Sequence, residues 1–527
     1  MIRRLSLIFI IILKFSVSIF YSQTAPEKEF RGVWVATAFN LDWPSSALLS
    51  SEEQKQEFIN LLEAHRQNGI NAVLVQIRPA AEVFYESKFE PWSHWLTGEQ
   101  GKAPDPYYDP LLFMVDECHK RNMEFHAWFN PFRCVSNIAR VKTVPDHISK
   151  IHPEWCVKYG SEVEKLYFNP GIPEVRAYII EVVMEVAHKY NIDGVHFDDY
   201  FYPAKEAGVE FPDNNAFLLY NDKGLNKADW RRENLNDFIH TLSDSINSLG
   251  KGIKFGVGPS GIWRNKSHDP DGSDTRGLAS YDEQFADVVK WLREGWIDYV
   301  SPQIYWPIGY KAADYEKLVE WWSRHVYGKH LYIGQATQFI NKTNAWKNPS
   351  EIPDQLRLSR LYPEVKGNIF YSSSTLLRNN NGILDSLKRD FYISYVDVPD
   401  MSWKPKIKNL VADTSKVIKV ITLPEPMAPI NLTVTKVGRE TLISWSMDES
   451  QKIFVADTGS YYHVYRFKGI YAGYPGEANL YKTTRKPFIM VSRRGLFKKK
   501  YSFIITAVNR QNRESWPSEH LIIKMKE

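Results

Sequence analysis

Apolar positions along the chain follow two spacings. Between Glu29 and about Leu377, eight short runs rich in β-branched and aromatic residues read as buried strands: "EFRGVWVAT", "NAVLVQIRP", "MEFHAWFNP", "DGVHFDDYF", "KFGVGPSGIW", "IDYVSPQIYW", "HLYIGQATQF" and "NIFYSSSTLL". Longer stretches with helical spacing separate them, such as "EEQKQEFINLLEAHRQNG", "DPLLFMVDECHKRN", "PEVRAYIIEVVMEVAHKYN" and "NLNDFIHTLSDSINSLG". Several end in Gly or Asn, as helix C-termini favour. Strand-then-helix units repeated eight times predict an α/β (β/α)8 barrel, with insertions, over residues 29–390. The alternative is a doubly wound open sheet, but no G-x-G-x-x-G follows the first strand.

Past the barrel the pattern changes. Residues 391–427 are rich in Pro and Lys and read as a linker, with short strands that pack on the barrel as a variant. Residues 428–527 then show short alternating strands spaced like a β-sandwich. At the other end, residues 1–22 read as a secretory signal: Arg3 and Arg4 are the basic start, Leu5 to Ile12 the apolar stretch, and Ser22 the cleavage point. A retained anchor is the alternative, but Lys14 leaves the apolar run short of the ~20 residues a spanning helix needs. No Cys lies near Ser22, so no lipid anchor is expected. The expectation is a periplasmic or secreted protein with no integral membrane segment once the signal is removed.

Composition narrows the field. Hydrophobic residues make 43% of the 527 and charged residues 24%, as in ordinary globular proteins. Net charge is +4, which gives no electrostatic case for nucleic acid. Aromatic residues make 14%, fitting either a large core or a cleft lined by flat rings, as carbohydrate sites often are. The three cysteines, Cys118, Cys134 and Cys156, match no zinc spacing. One disulfide in an oxidising compartment and a reduced, buried set both remain open.

Candidate chemistry gathers where strands end. Side chains two apart on a strand share a face, so His196 and Asp198 in "DGVHFDDYFYP" point together, and Asp199 begins the loop. Adjacent carboxyls at the end of a buried strand are costly unless used. Glycoside hydrolysis needs two carboxyls, one as nucleophile or base and one as acid. Asp198 is the first candidate, with His196 expected to donate a hydrogen bond that keeps it ionised, and Asp199 is the fallback for either role. The strand ending "GVGPSGIW" supplies no carboxyl, which leaves Glu82 as the leading acid ahead of Asp269 and Asp271, whose Gly-containing loop favours a turn role. Arg78, His126, Trp128, Asn130, His196, Gln303, Tyr305 and Trp306 form the expected sugar-binding set. His126, His196 and Asp198 also raise a metal-assisted reading, although H-E-x-x-H is missing, so neither metal nor cofactor is expected. Nucleophilic Ser or Cys chemistry lacks its local motif.

Taken together, "FRGVWVAT", "NAVLVQIRPAAEVFYESKFEPWSHWLTG", "FHAWFNPFR", "DGVHFDDYFYP" and "VSPQIYW" resemble the bacterial glycosyl hydrolase-like ten family, from roughly Glu29 to Leu377. The resemblance implies an exported barrel, a sugar-polymer substrate and a link to turnover of cell-wall glycan. It also implies that Asp198 takes the position of the nucleophile in more distant α-amylase-type barrels. His196 then stands where those carry Arg, and their fifth-strand Glu is missing here. Residues 428–527 resemble a fibronectin type III module: Trp445 falls on the second strand and Tyr501 near the start of the strand that carries the tyrosine corner. Such a module implies a spacer or docking role. The combined expectation is an exported glycoside hydrolase acting on O-glycosyl bonds of a bacterial polysaccharide, with peptidoglycan glycan strands as the first candidate. The alternatives are a carbohydrate-binding barrel without turnover and a metal-assisted hydrolase or deacetylase of glycans.

Overall fold

A computed structural model describes residues 26–161, 164–404, 426–438, 440–451, 461–469, 479–484, 486–492, 498–508 and 514–526. The expected signal (1–22) and residues 405–425 of the expected linker lie outside the described residues.

Seven of the eight apolar runs contain a whole barrel strand, and the eighth, from Asn368, holds the second half of one that starts at Val365. The chain lays down β1 (Phe30–Val35), β2 (Ala72–Arg78) and β3 (Glu124–Phe129), then an antiparallel excursion of β4 (Arg133–Val135), β5 (Cys156–Tyr159) and β6 (Lys165–Phe168). Barrel strands resume as β7 (Gly194–Phe197), β8 (Lys254–Val257), β9 (Tyr299–Val300), β10 (His330–Gln335) and β11 (Val365–Phe370). Parallel pairing runs β1-β2-β3-β7-β8-β9-β10-β11 and closes from β11 back onto β1, where Phe30 faces Gly367 and Val33 faces Phe370. The strands are nearly all buried because helices cover their outer face.

The helices begin where side chains satisfy their first amides. Ser50 and Glu53 form a reciprocal capping box on Ser51–Gln67, and Asp109 caps Pro110–His119. The stretch expected from Asn234 starts earlier, at Lys227, because the Asn226 side chain accepts from the Asp229 amide and opens a 22-residue helix there.

The start of the expected linker packs on the barrel. Residues 394–404 lie against the N-terminal end of the barrel: Arg31 donates to the Ser394 carbonyl at 2.8 Å, Asn71 to the Val396 carbonyl at 3.0 Å, and Lys404 pairs with Asp298 at 2.7 Å. Met401 packs in a cluster with Phe30, Tyr299 and Tyr332, closing the bottom of the barrel with apolar surface.

The C-terminal region forms a sandwich of two antiparallel sheets. One joins β12 (Ile430–Val437), β13 (Glu440–Ser446) and β16 (Phe488–Ser492); the other is ordered β15 (Leu480–Thr484), β14 (Tyr461–Lys468), β17 (Lys498–Val508), β18 (Leu521–Lys526). Ile443, Trp445 and Ile489 from the first meet Val464, Tyr501 and Phe503 from the second in one apolar cluster. Among the described residues, no helix is long and apolar enough to cross a membrane.

Candidate active site

At the C-terminal ends of the barrel strands a cleft of about 290 Å³ opens, lined by Trp34, Ala36, Ala38, Phe39, Leu41, Gln76, Trp128, Arg133, Asp198, Asp199, Tyr200, Gln303, Tyr305 and Tyr371. Barrel enzymes build their sites on this face from residues at strand ends and in the following loops. Asp198 and Asp199 supply the cleft's two carboxyls, both directly after β7.

A relay of amides fixes Asp198. The backbone N–H groups of Thr37 and Ala38 donate to Gln76 Oε1 at 3.0 and 2.9 Å. That fixes which end of the Gln76 amide points on, and its Nε2 donates to Asn130 Oδ1 at 2.5 Å. Asn130 Nδ2 in turn donates to Asp198 Oδ2, and the Tyr200 amide reaches Asp198 Oδ1 at 3.3 Å. Asp199 is held from the other side: Gln303 Nε2 donates to Oδ1 and Gln284 Nε2 to Oδ2, each at 3.2 Å. Gln303 is itself anchored on the Gly258 carbonyl at 2.8 Å.

Electrostatics sets the proton. Asp198 is 6% exposed, and burial, with the Asp199 charge beside it, pushes its carboxyl up from the ordinary range to about 7. Arg133, the Tyr200 amide and Asn130 offset part of that rise. Burial raises Asp199 as well, against the pull of the Gln284 and Gln303 hydrogen bonds. The two neighbouring carboxyls therefore titrate as a pair, both raised by burial. At the mouth, the Arg133 guanidinium sits 4.4 Å from the Tyr200 ring centre, and Phe39 and Leu41 are exposed, presenting flat and apolar surface to an incoming ligand.

Five of the expected residues line the cleft: Asp198, Asp199, Trp128, Gln303 and Tyr305. The others are elsewhere, and each has a local reason. Glu82, the expected acid, is buried and accepts from Ser93 Oγ at 2.9 Å, His94 Nδ1 at 2.8 Å and Gln100 Nε2 at 2.8 Å, so it ties down the loop after β2. Arg78, expected to bind sugar, is buried in a bidentate pair with Glu90 at 2.6 and 2.8 Å and donates to the carbonyls of Asn130 and Pro131. It shapes the turn that carries Asn130. Asn130 is fully buried and spends its amide on Gln76 and Asp198, so it positions a carboxyl. Trp306 lies outside the lining. Asp269 pairs with Arg264 at 2.5 Å and accepts the Asp271 amide at 2.9 Å, a turn role for that loop.

The two histidines are corrected as well. His196 Nε2 accepts from Trp34 Nε1 at 3.1 Å, which leaves the proton on Nδ1, 3.0 Å from Tyr299 Oη. Tyr299 Oη then donates to His126 Nδ1 at 2.9 Å, and His126 Nε2 donates to Glu124 at 3.1 Å, with Lys254 on the far side of Glu124. Every ring nitrogen is used, and burial holds His196 well below its ordinary value, so it is neutral. It neither donates to Asp198 nor offers a metal lone pair. Gly256 and Gly194 make the space for this column, since a Cβ would stand 2.0 Å from the Tyr299 ring and 2.4 Å from His126 Nδ1 respectively.

Beyond the expected set the lining includes Trp34, Gln76, Arg133, Tyr200 and Tyr371, with Ala36, Ala38, Phe39 and Leu41 from the segment at and after the end of β1. The signal for Trp34 and Gln76 was in the strand alternation, which puts both on the inward face of β1 and β2.

The family model described as glycosyl hydrolase-like 10 matches residues 29–350. Over 422 residues the chain is 46% identical to Glycosyl hydrolase YngK of Bacillus subtilis (strain 168), covering 77% of this chain and 82% of that one. Over 371 residues it is 40% identical to Glycosyl hydrolase DigH of Escherichia coli (strain K12), covering 66% and 83%. Among solved structures, the PgaB (BpsB) glycoside hydrolase domain from Bordetella bronchiseptica aligns at a TM-score of 0.43 and 12% identity over 69% of this chain and 99% of that one. The catalytic domain of β-amylase from Paenibacillus polymyxa aligns at 0.45 and 12% over 70% and 99%.

Proposed function

The chain belongs to the glycosyl hydrolase-like 10 family, and from that premise we propose that it hydrolyses O-glycosyl bonds in a bacterial polysaccharide, with peptidoglycan glycan strands as the substrate. The observation that carries this reading is the Asp198–Asp199 pair at the base of an aromatic cleft, one carboxyl raised to about 7 beside one held by two amides. A raised carboxyl is what proton donation to a leaving glycosidic oxygen requires. Trp34, Trp128, Tyr305 and Tyr371 supply ring faces suited to pyranose stacking. The signal-like residues 1–22 support a site of action in the periplasm or outside the cell.

The test is reducing-end release from purified glycan strands by the full chain, alongside Asp198→Asn. Release by the parent, lost in the variant while glycan affinity is kept, supports a hydrolase. A parent that binds glycan and releases nothing is a carbohydrate-binding barrel, and the proposal is then refuted.

A further inference from the structure

We infer that the nucleophile of this site is carried by the substrate: a 2-acetamido group on the sugar attacks its own anomeric carbon, with Asp198 as proton donor and Asp199 orienting the acetamido N–H. This inference rests on the glycosidase reading and deepens it, giving the substrate's own 2-acetamido group the place of a protein nucleophile.

Its starting point is a shortage of carboxyls. A glycosidase that uses two carboxyls places them on opposite sides of the scissile bond, about 5–5.5 Å apart when retaining and about 6.5–9.5 Å when inverting. The cleft's two carboxyls come from consecutive residues at the end of one strand, β7, whereas barrel sites draw their catalytic groups from the ends of several different strands. Both are held by side-chain amides, Asp198 through Asn130 and Asp199 through Gln284 and Gln303. The remaining lining holds no third acid, and the nearby buried acids are committed elsewhere. Glu82 and Glu90 are tied as described above, and Asp42 accepts from the Ala36 amide, Ser372 Oγ and the Ser374 amide, each at 2.8 Å.

The other walls are rings. A phenolate is the remaining protein nucleophile to consider, but burial pushes the Tyr371 hydroxyl up to about 12 and raises Tyr305, and the Asp199 charge together with burial raises Tyr200, so all three stay neutral phenols. Trp34 and Tyr371 lie 6.1 Å apart between ring centres, and Tyr371 and Tyr305 6.2 Å, forming a continuous aromatic wall. Such a wall suits an acetamido methyl and offers no base to activate water. An adjacent acid and carboxylate beside an apolar wall is the set of groups an internal nucleophile needs.

The step balances without a further reactant. The acetamido carbonyl oxygen bonds to C1 as the C1–O bond to the leaving sugar breaks, and the electron pair departs on that oxygen, which takes the Asp198 proton. The oxazolinium ring so formed has its N–H held by the Asp199 carboxylate. Water then bonds to C1 and gives a proton to Asp198, the C1–O bond to the former carbonyl breaks, and the acetamido group is restored. One water is consumed, and the configuration at C1 is retained.

The experiment uses the full chain on three reagents: N-acetylglucosamine-containing glycan strands, the same strands after chemical N-deacetylation, and the 1,2-thiazoline of N-acetylglucosamine, which mimics the cyclic intermediate. The expected result is retention at C1, competitive inhibition by the thiazoline, and a loss on deacetylation on the order of a thousandfold or more, since a well-placed internal nucleophile reaches effective molarities of ~10⁵ M and above. Aryl glycosides divide the roles: Asp198→Asn recovers activity with a leaving group that needs no proton, whereas Asp199→Asn does not. Cleavage of deacetylated and acetylated strands at similar rates, or inversion at C1, overturns the inference and leaves the glycosidase reading standing. Cleavage of neither overturns both.

Discussion

Asp198→Asn tests the energetics of the site independently of any substrate. In the folded protein the Asp198 carboxyl is raised from 3.8 to about 7. Folding therefore favours its protonated form, and ionising it inside the cleft costs stability. The cost is absent below about pH 4, where the carboxyl is protonated in both states; it grows as pH rises and is complete above about 7. A rise of about three pH units, at about 1.4 kcal/mol each, amounts to about 4 kcal/mol. Asparagine keeps the shape, and its amide oxygen still accepts from Asn130, so the replacement removes the charge and little else. Apparent Tm measured for parent and variant from pH 4 to pH 8 is the assay. The two should nearly coincide at pH 4 and diverge through pH 5–7, with the variant higher by several degrees at pH 8, given ~2 °C per kcal/mol for large domains. A difference that does not change with pH refutes the assignment of the raised carboxyl to this residue. Gained stability together with lost turnover is the expected signature of a residue kept for chemistry.

Three further outcomes follow from the same geometry. For hydrolysis, kcat/KM should fall as pH rises through about 7, where the Asp198–Asp199 pair loses its proton; a flat profile up to pH 9 contradicts the role of Asp198 as donor. Glu82→Gln should leave turnover intact while costing about 1–3 kcal/mol in denaturant unfolding, because it disturbs a buried acceptor with three side-chain donors; a large loss of kcat at unchanged stability returns Glu82 to the reaction. Oxidised glutathione should join Cys134 and Cys156, whose Sγ atoms lie 3.3 Å apart, with the loss of two hydrogens in intact mass and Cys118 left alkylatable on unfolding; a bridge that includes Cys118 contradicts this pairing.

The barrel was legible because a strand covered by helices has no choice but to be apolar along its length, and eight such runs at regular spacing leave few topologies. The end of β7 was legible for the opposite reason, since adjacent acids break an apolar run where nothing local explains them. Depth was not legible. Alternation says that His126, His196 and Asp198 all face inward, but the layer each occupies depends on strand stagger around the closed sheet. Two of the three therefore fell in the filled interior and one at the open end. Arg78 and Glu82 misled because a buried partner twelve residues away, or a loop that folds back, leaves no periodic trace. Tyr371 was missed because it follows β11, the last barrel strand, far in sequence from the β1 residues it joins in the cleft wall.

The column from Trp34 through His196, Tyr299 and His126 to Glu124 and Lys254 bears on inheritance as well as on packing. Each member's donor or acceptor is spoken for by the next, and Gly194 and Gly256 are small because the rings beside them are large. A lone change at any of these positions strands its neighbour's polar atom in a dry interior. These positions are therefore free to drift only as a set. Descendants of this chain should either keep the whole column or exchange it wholesale for an apolar filling, and the carboxyl pair above it inherits a floor that point mutation cannot adjust piece by piece.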